Sequence, residues 1–169
     1  NAAGGQALQA IAAAELARGG MDAAGILAQL PELRARTYTW ATTRDISHAV
    51  RGGRIPRWGK PLVQALYLSP VAKVKPEGKL SLAGGMFGKS NIPARFAAYV
   101  ARRLDRGKRW RVIVGHCDAH ADGAETLQAM RALLDCEQAW LVETGPAVGA
   151  HAGPGALVIS VQESSEQGG

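Results

Sequence analysis

The chain has 169 residues, 47% hydrophobic and 5% aromatic, with a formal net charge of +6 at pH 7. That length and apolar content fit one compact α/β domain with a core of its own. No apolar run reaches the ~18 residues a spanning helix needs, which excludes a membrane-spanning helix.

Only two cysteines occur, Cys117 and Cys136, and no secretory apolar region is visible, so the setting reads as reduced and cytoplasmic. The opening Asn1-Ala2 reads as the remnant of a cleaved tag, so the chain is expected to be a piece of a longer protein. Residues 51 to 111 carry fifteen Lys or Arg against Glu77 and Asp105, a balance of +13, whereas the remainder balances at −7. A basic middle suits an anionic partner: nucleic acid, a phosphorylated ligand, an acidic protein face or an anionic lipid surface. A solvated helix face is the alternative.

In chain order, residues 6–18 form an alanine-rich helix with Leu8, Ile11, Ala12 and Leu16 on one side, ended by Gly19-Gly20. Asp22 caps a second helix striped by Ile26, Leu27, Leu30 and Leu33, which Pro31 is expected to kink or shorten. Thr37–Thr43 alternates and is a strand, with Tyr38 and Trp40 on one face. A short helix from about Arg44 to Val50 stops at Gly52-Gly53, and residues 57–68 suggest another helix. Val71–Lys75 and Lys79–Ala83 make a hairpin across Pro76-Glu77-Gly78. A helix over 91–105, a strand over 110–114, a helix over 121–134 and strands over 138–143 and 156–161 follow. Six strands with interspersed helices imply an α/β fold: a two-layer domain with a six-stranded mixed sheet and helices mainly on one face. The chain divides into an N-terminal helical segment (1–36), an α/β domain (37–162) and a polar tail (163–169).

Four stretches carry candidate chemistry. Ala83-Gly84-Gly85-Met86-Phe87-Gly88-Lys89-Ser90 is one substitution from a phosphate-binding loop, but Ala83 stands where glycine is required. A glycine-rich connection with a basic rim is the simpler reading. His116-Cys117-Asp118-Ala119-His120-Ala121-Asp122 holds metal-binding side-chain types, yet Asp118 or Asp122 capping the next helix explains it more simply, and no metal is expected. Nucleic-acid binding would rest on charge alone, with Trp58 or Tyr67 for stacking, and no recognised module supports it. A serine hydrolase would need a strained nucleophile elbow, which is missing.

The remaining two stretches are distinctive together. Arg51-Gly52-Gly53-Arg54-Ile55 can aim a guanidinium at a carboxylate or phosphate. Thr144–Val161 holds four glycines, two prolines and His151 in what reads as a constrained loop feeding an apolar strand. With Leu66-Tyr67-Leu68-Ser69-Pro70-Val71 and Glu143-Thr144-Gly145-Pro146 between them, these motifs resemble the DegV family of fatty-acid-binding proteins, from about Gly5 to Gln162.

The resemblance implies a two-domain parent, of which this chain would be the C-terminal domain with its connecting helix. It implies one long-chain fatty acid buried in an apolar tunnel, with its carboxylate fixed between the domains and no further cofactor. Some members present the acyl chain to a fatty acid kinase, so the protein would be a carrier without catalytic residues. Transferred position by position, His151 contributes at the carboxylate end and Arg54 at the head-group mouth or a kinase-docking surface. Gly53, Gly149, Gly153 and Gly155 shape the binding loops, and Leu66, Leu68 and Leu157 are tunnel or core positions. Without the hydroxyl-bearing N-terminal domain the head-group site is half built, and weak or no binding by this chain alone is expected. The family's Arg-Thr pair after the hairpin is replaced here by Gly84–Ser90, where Lys89 supplies the charge. The alternative is a regulatory domain that binds phosphate, nucleotide or nucleic acid through residues 51–111.

Overall fold

The computed structural model describes residues 2–53 and 67–164. Glycines, capping groups and strand alternation set the elements in order. Helices α1 (Gly4–Arg18) and α2 (Ala23–Ala35) precede strand β1 (Thr37–Thr42) and the short helix α3 (Ser47–Arg51). The hairpin β2 (Leu68–Val74) and β3 (Leu80–Phe87) is followed by α4 (Ile92–Ala101) and β4 (Arg109–His116). Helix α5 (His120–Leu133), β5 (Asp135–Glu143), α6 (Pro146–Ala152) and β6 (Leu157–Glu163) complete the chain. The expected helix over 57–68 lies outside the described residues, apart from Tyr67 and Leu68.

Asp22 caps α2, its carboxylate accepting from the Gly25 amide at 2.8 Å. Pro31 does not shorten this helix, which runs on to Ala35. Its last turn is held by buried Leu33 and by the Thr37 hydroxyl, which donates to the Leu33 carbonyl at 2.6 Å. Tertiary contact here outweighs the lost backbone donor. Neither Asp118 nor Asp122 caps α5: Ala119 holds the cap position, and Asp122 in the first turn pairs with Arg44 at 3.0 Å.

The six strands form one sheet in the order β3-β2-β1-β6-β4-β5. All neighbours are antiparallel except β4 and β5, which run parallel and are joined through α5. One face packs against α4 and α5. Trp40, Val71, Trp110, Val112, Val114, Leu157, Ile159 and Val161 meet Phe96, Val100 and Met130 there. Tyr38 and Trp40 share this face, 6.0 Å apart between ring centroids. On the other face α1 lies so close that a Cβ on Gly4 would sit 2.8 Å from the Ile113 side chain. The α/β fold with a six-stranded mixed sheet is therefore as the alternation implied. Among the described residues, the helices of 37–162 that cover the sheet lie on one face, and the N-terminal helices lie on the other.

Arg111 ties α1 to the sheet, 2.5 Å from Glu15 and 3.2 Å from Glu137. The Ser164 hydroxyl beside Glu137, and then Arg111, hold its carboxyl below the ordinary range against the opposing effect of burial. A depressed native pKa contributes stability that is present above the unfolded value and lost as pH falls through the native one. Stability should therefore decline as pH falls below the ordinary glutamate range. In Glu137→Gln, denaturant unfolding across that range should show a shallower acid limb; an unchanged limb would remove Glu137 from the linkage.

Candidate functional site

Register places one row of residues across one end of the sheet: Thr42 opposite Leu157, Leu157 opposite His116, and His116 opposite Glu143. This row marks the carboxyl ends of β1, β4 and β5, the edge where open α/β sheets bind ligands. The segments leaving it carry the two sequence motifs. Leaving β1, the Thr43 hydroxyl donates to the Asp45 carbonyl at 3.1 Å, and the Asp45 carboxylate accepts from the Ser47 amide at 2.8 Å. This turn launches α3, which ends at Gly52. Gly53 follows at φ +71°.

Leaving β5, residues 146–152 form helix α6 and not the loop that their glycine and proline content suggests. Gly145 occupies the N-cap and Pro146 the first turn, where its missing amide costs nothing. Gly153 then turns the chain at φ +77°, ψ 170°, a region open in practice only to glycine. The segment is pinned to the end of β4. The Thr144 hydroxyl donates to the His116 carbonyl at 3.0 Å and so accepts from the Cys117 thiol at 2.7 Å. The Gly155 amide donates to the Cys117 carbonyl at 2.8 Å, and the Cys117 amide to the Ala156 carbonyl at 3.0 Å.

Helices α3 and α6 meet reciprocally, each histidine resting on a glycine of the opposing element. A Cβ on Gly52 would lie 2.8 Å from His151 Nδ1, and one on Gly153 would lie 2.6 Å from His48 Cδ2. The motifs that stand about a hundred residues apart in sequence are thus in contact. Arg51 Nη2 lies 3.1 Å from His48 Nε2. Because a guanidinium can only donate, His48 accepts at Nε2 and carries its proton on Nδ1. Two imidazoles and a guanidinium at one surface edge can hold a carboxylate or phosphate oxygen by charge-assisted hydrogen bonds. Sequence reasoning named Arg51 only as part of its glycine motif, with Arg54 as the site residue, and missed His48. The i, i+3 spacing of His48 and Arg51 on a short helix was the signal, since it places both side chains on one side.

His151 is exposed at the C-terminal end of α6, Gly149 faces open space within it, and Gly155 turns at φ +79°. Leu68 is half-buried in β2, and Leu157 is buried in the core. Arg54 and Leu66 lie outside the described residues. A hollow of about 490 Å³ opens beside the same sheet edge, lined by His116, Asp118, Ala119, His120, Leu141 and Glu143. Neither Leu68 nor Leu157 lines it.

The phosphate-loop reading of Ala83–Ser90 fails. Residues 83–87 belong to β3, and the Ala83 carbonyl accepts from the Tyr99 hydroxyl at 2.6 Å. A backbone committed to strand pairing with β2 cannot curl around phosphate oxygens. Around His116 the ring edges face His120 at 5.5 Å between centroids, and Nδ1 accepts from the Ala119 amide at 3.4 Å. Among the described residues no group of three or more His, Cys, Asp or Glu side chains could hold a metal ion. No described helix is long and apolar enough to cross a membrane. Part of the basic span is used internally: Lys108 pairs with Glu163 at 2.8 Å, Arg109 with Asp135 at 3.6 Å, and Arg103 stacks on Tyr99.

An α/β domain built on a six-stranded mixed sheet, with both motifs meeting at one sheet edge, defines a recognisable class. A family model described as "Uncharacterised protein, DegV family" matches residues 1–164, and the chain belongs to the DegV family. A DegV domain-containing protein of Clostridium perfringens is 26% identical over 153 residues, covering 90% of this chain and 54% of that protein. A Thermotoga maritima protein, described as revealing a fatty acid binding function, superposes with a TM-score of 0.81 at 20% identity. The match covers 96% of this chain and 56% of that one. A DegV family protein of Thermus thermophilus, described for its fatty acid binding, matches at 26% identity and a TM-score of 0.75, covering 95% and 57%. The chain spans about half the length of the curated relatives it matches.

Proposed function

We propose that this chain is the lipid-binding part of a cytoplasmic fatty-acid carrier that does no chemistry on its cargo. The observation that carries the reading is the reciprocal seating of His48 on Gly153 and His151 on Gly52 at the carboxyl edge of the sheet. It gathers the residues suited to an acyl carboxylate, and fatty acid binding is what the Thermotoga and Thermus relatives are described for. In this reading His151 and Arg54 hold the carboxylate, and Gly53, Gly149, Gly153 and Gly155 shape the approach. Leu66 and Leu68 line the start of the acyl path, where each buried CH₂ gains about 0.8 kcal/mol, and Leu157 is a core position. The remaining half of the head-group site comes from a further domain of the parent protein, and a fatty acid kinase receives the exposed carboxylate.

The test is His151→Ala in the parent protein. A hydrogen bond to a charged group contributes about 1.5–3 kcal/mol, so retention of bound oleate or palmitate should fall about tenfold or more, with unfolding unchanged. Unchanged retention would exclude His151 from the head-group site.

A further inference from the structure

The hollow beside His116 opens at the α5 end of the sheet edge, and none of its walls belongs to α3 or α6. His116 itself is only 6% exposed. Its Nδ1 accepts from the Ala119 amide, so the neutral ring carries its proton on Nε2. Gly123 lets the first turn of α5 sit directly on this ring. A Cβ there would stand 3.0 Å from His116 Cδ2 and 2.9 Å from Leu141 Cδ1. With Nδ1 and Cδ2 both engaged, the remaining edge, which bears Nε2–H, is turned to the hollow that His116 lines. Among the described residues this N–H has no hydrogen-bond partner. A donor on a ring this buried reaches only what enters the hollow.

The walls carry both signs of charge. Helix α5 begins at His120 with no side-chain cap, which leaves its first amides and the positive end of its dipole open. The exposed His120 ring stands 5.5 Å from His116 between centroids. Glu143, the register partner of His116 on β5, adds a carboxylate, and Leu141 two residues earlier adds an apolar wall. The Asp118 carboxylate lines the hollow from the turn before α5. Asp122 in the first turn of α5 is engaged elsewhere, by Arg44 at 3.0 Å.

The geometry points to this hollow as a binding site for a small zwitterion. Its carboxylate or phosphate accepts from His116 Nε2–H and the α5 amides, and its ammonium is held by Asp118 and Glu143. A metal ion does not fit, because Nε2 carries a proton and offers no lone pair. A polyanion would meet two carboxylates, and an acyl tail would find only Leu141 and Ala119 to cover it. The volume of about 490 Å³ lies in the range of small-ligand sites and admits an amino acid or an aminoalkyl phosphate. Nothing here needs the carrier reading, since His151 has no part in the hollow, and either can fail alone.

The experiment is NMR titration of this chain, read at the His116, Ala119 and Leu141 amides, with L-leucine and with phosphoethanolamine. Whichever binds more tightly identifies the anionic end as carboxylate or phosphate. Two controls, 4-methylpentanoate and 3-methylbutylamine, each keep one of the two charges of L-leucine. L-leucine should bind about threefold to fivefold more tightly than 4-methylpentanoate, the gain of one partly exposed ion pair. His116→Phe keeps a ring without the donor and should weaken zwitterion binding about tenfold or more. Glu143 is exposed, so Glu143→Gln should leave the fold intact and abolish the preference for L-leucine over 4-methylpentanoate. No response to either zwitterion overturns the inference, as does equal binding of L-leucine and 4-methylpentanoate by the unsubstituted chain. Displacement of the zwitterion by oleate also overturns it, because the hollow would then belong to the acyl site.

Discussion

Replacing Gly153 with alanine is expected to destabilise the chain by about 2–4 kcal/mol through backbone strain and overpacking together. The backbone at φ +77°, ψ 170° resists any Cβ, and the added atom would stand 2.6 Å from His48 Cδ2 and 2.9 Å from its Cγ. Because the contact reaches the base of the imidazole, rotating the ring does not relieve it. His48 must move away, taking α3 off α6. Gly155→Ala is the internal control. Gly155 also has positive φ, at +79°, but a Cβ there would meet nothing within 4 Å. It should show the strain alone, and urea unfolding of the two variants separates the contributions. Acyl retention by the parent protein should be lost in Gly153→Ala and largely kept in Gly155→Ala. Equal losses in both would mean that the His48 contact contributes nothing.

The largest loss of stability should come from the core. Phe96 is fully buried on α4 between the helix layer and the sheet, among Val71, Met86, Val100 and Leu157. Phe96→Ala removes the apolar surface and leaves a cavity that close-packed neighbours refill only in part, at a cost of about 3–5 kcal/mol. That is a large share of the stability of a domain this size. The expected result is a lower denaturant midpoint with an unchanged slope, since the native and unfolded surfaces hardly change. A loss below about 1 kcal/mol would mean that the site collapses around the alanine, contrary to close packing.

The fold was legible wherever one physical signal dominated. Alternation in Thr37–Thr43, the helix expected over 91–105 and the Asp22 cap each named an element that the structure contains. The misreadings arose where local chemistry and tertiary context disagree. Ala83–Phe87 is glycine-rich and reads as a loop, yet pairing with β2 and the Tyr99 hydroxyl hold it as strand. Pro146–Ala152 reads as a constrained loop, yet Pro146 suits a first helical turn and Gly153 an exit, so the segment closes into α6. Pro31 was read through its missing amide, whereas Leu33 and Thr37 decide where α2 ends. At the site, the two glycine motifs were visible in sequence but their contact was not. Reciprocal packing of His48 and His151 on opposing glycines depends on a sheet register that no local pattern encodes.

The most direct test of a carrier function is native mass spectrometry of the protein purified from cells in its full natural length. One bound long-chain acyl species per protein is expected, released on denaturation and replaceable by added oleate. In His151→Ala protein of the same fold, that species should be depleted. A parent protein that carries no acyl species and takes up neither oleate nor palmitate would contradict the assignment of the α3–α6 edge as a fatty-acid head-group site.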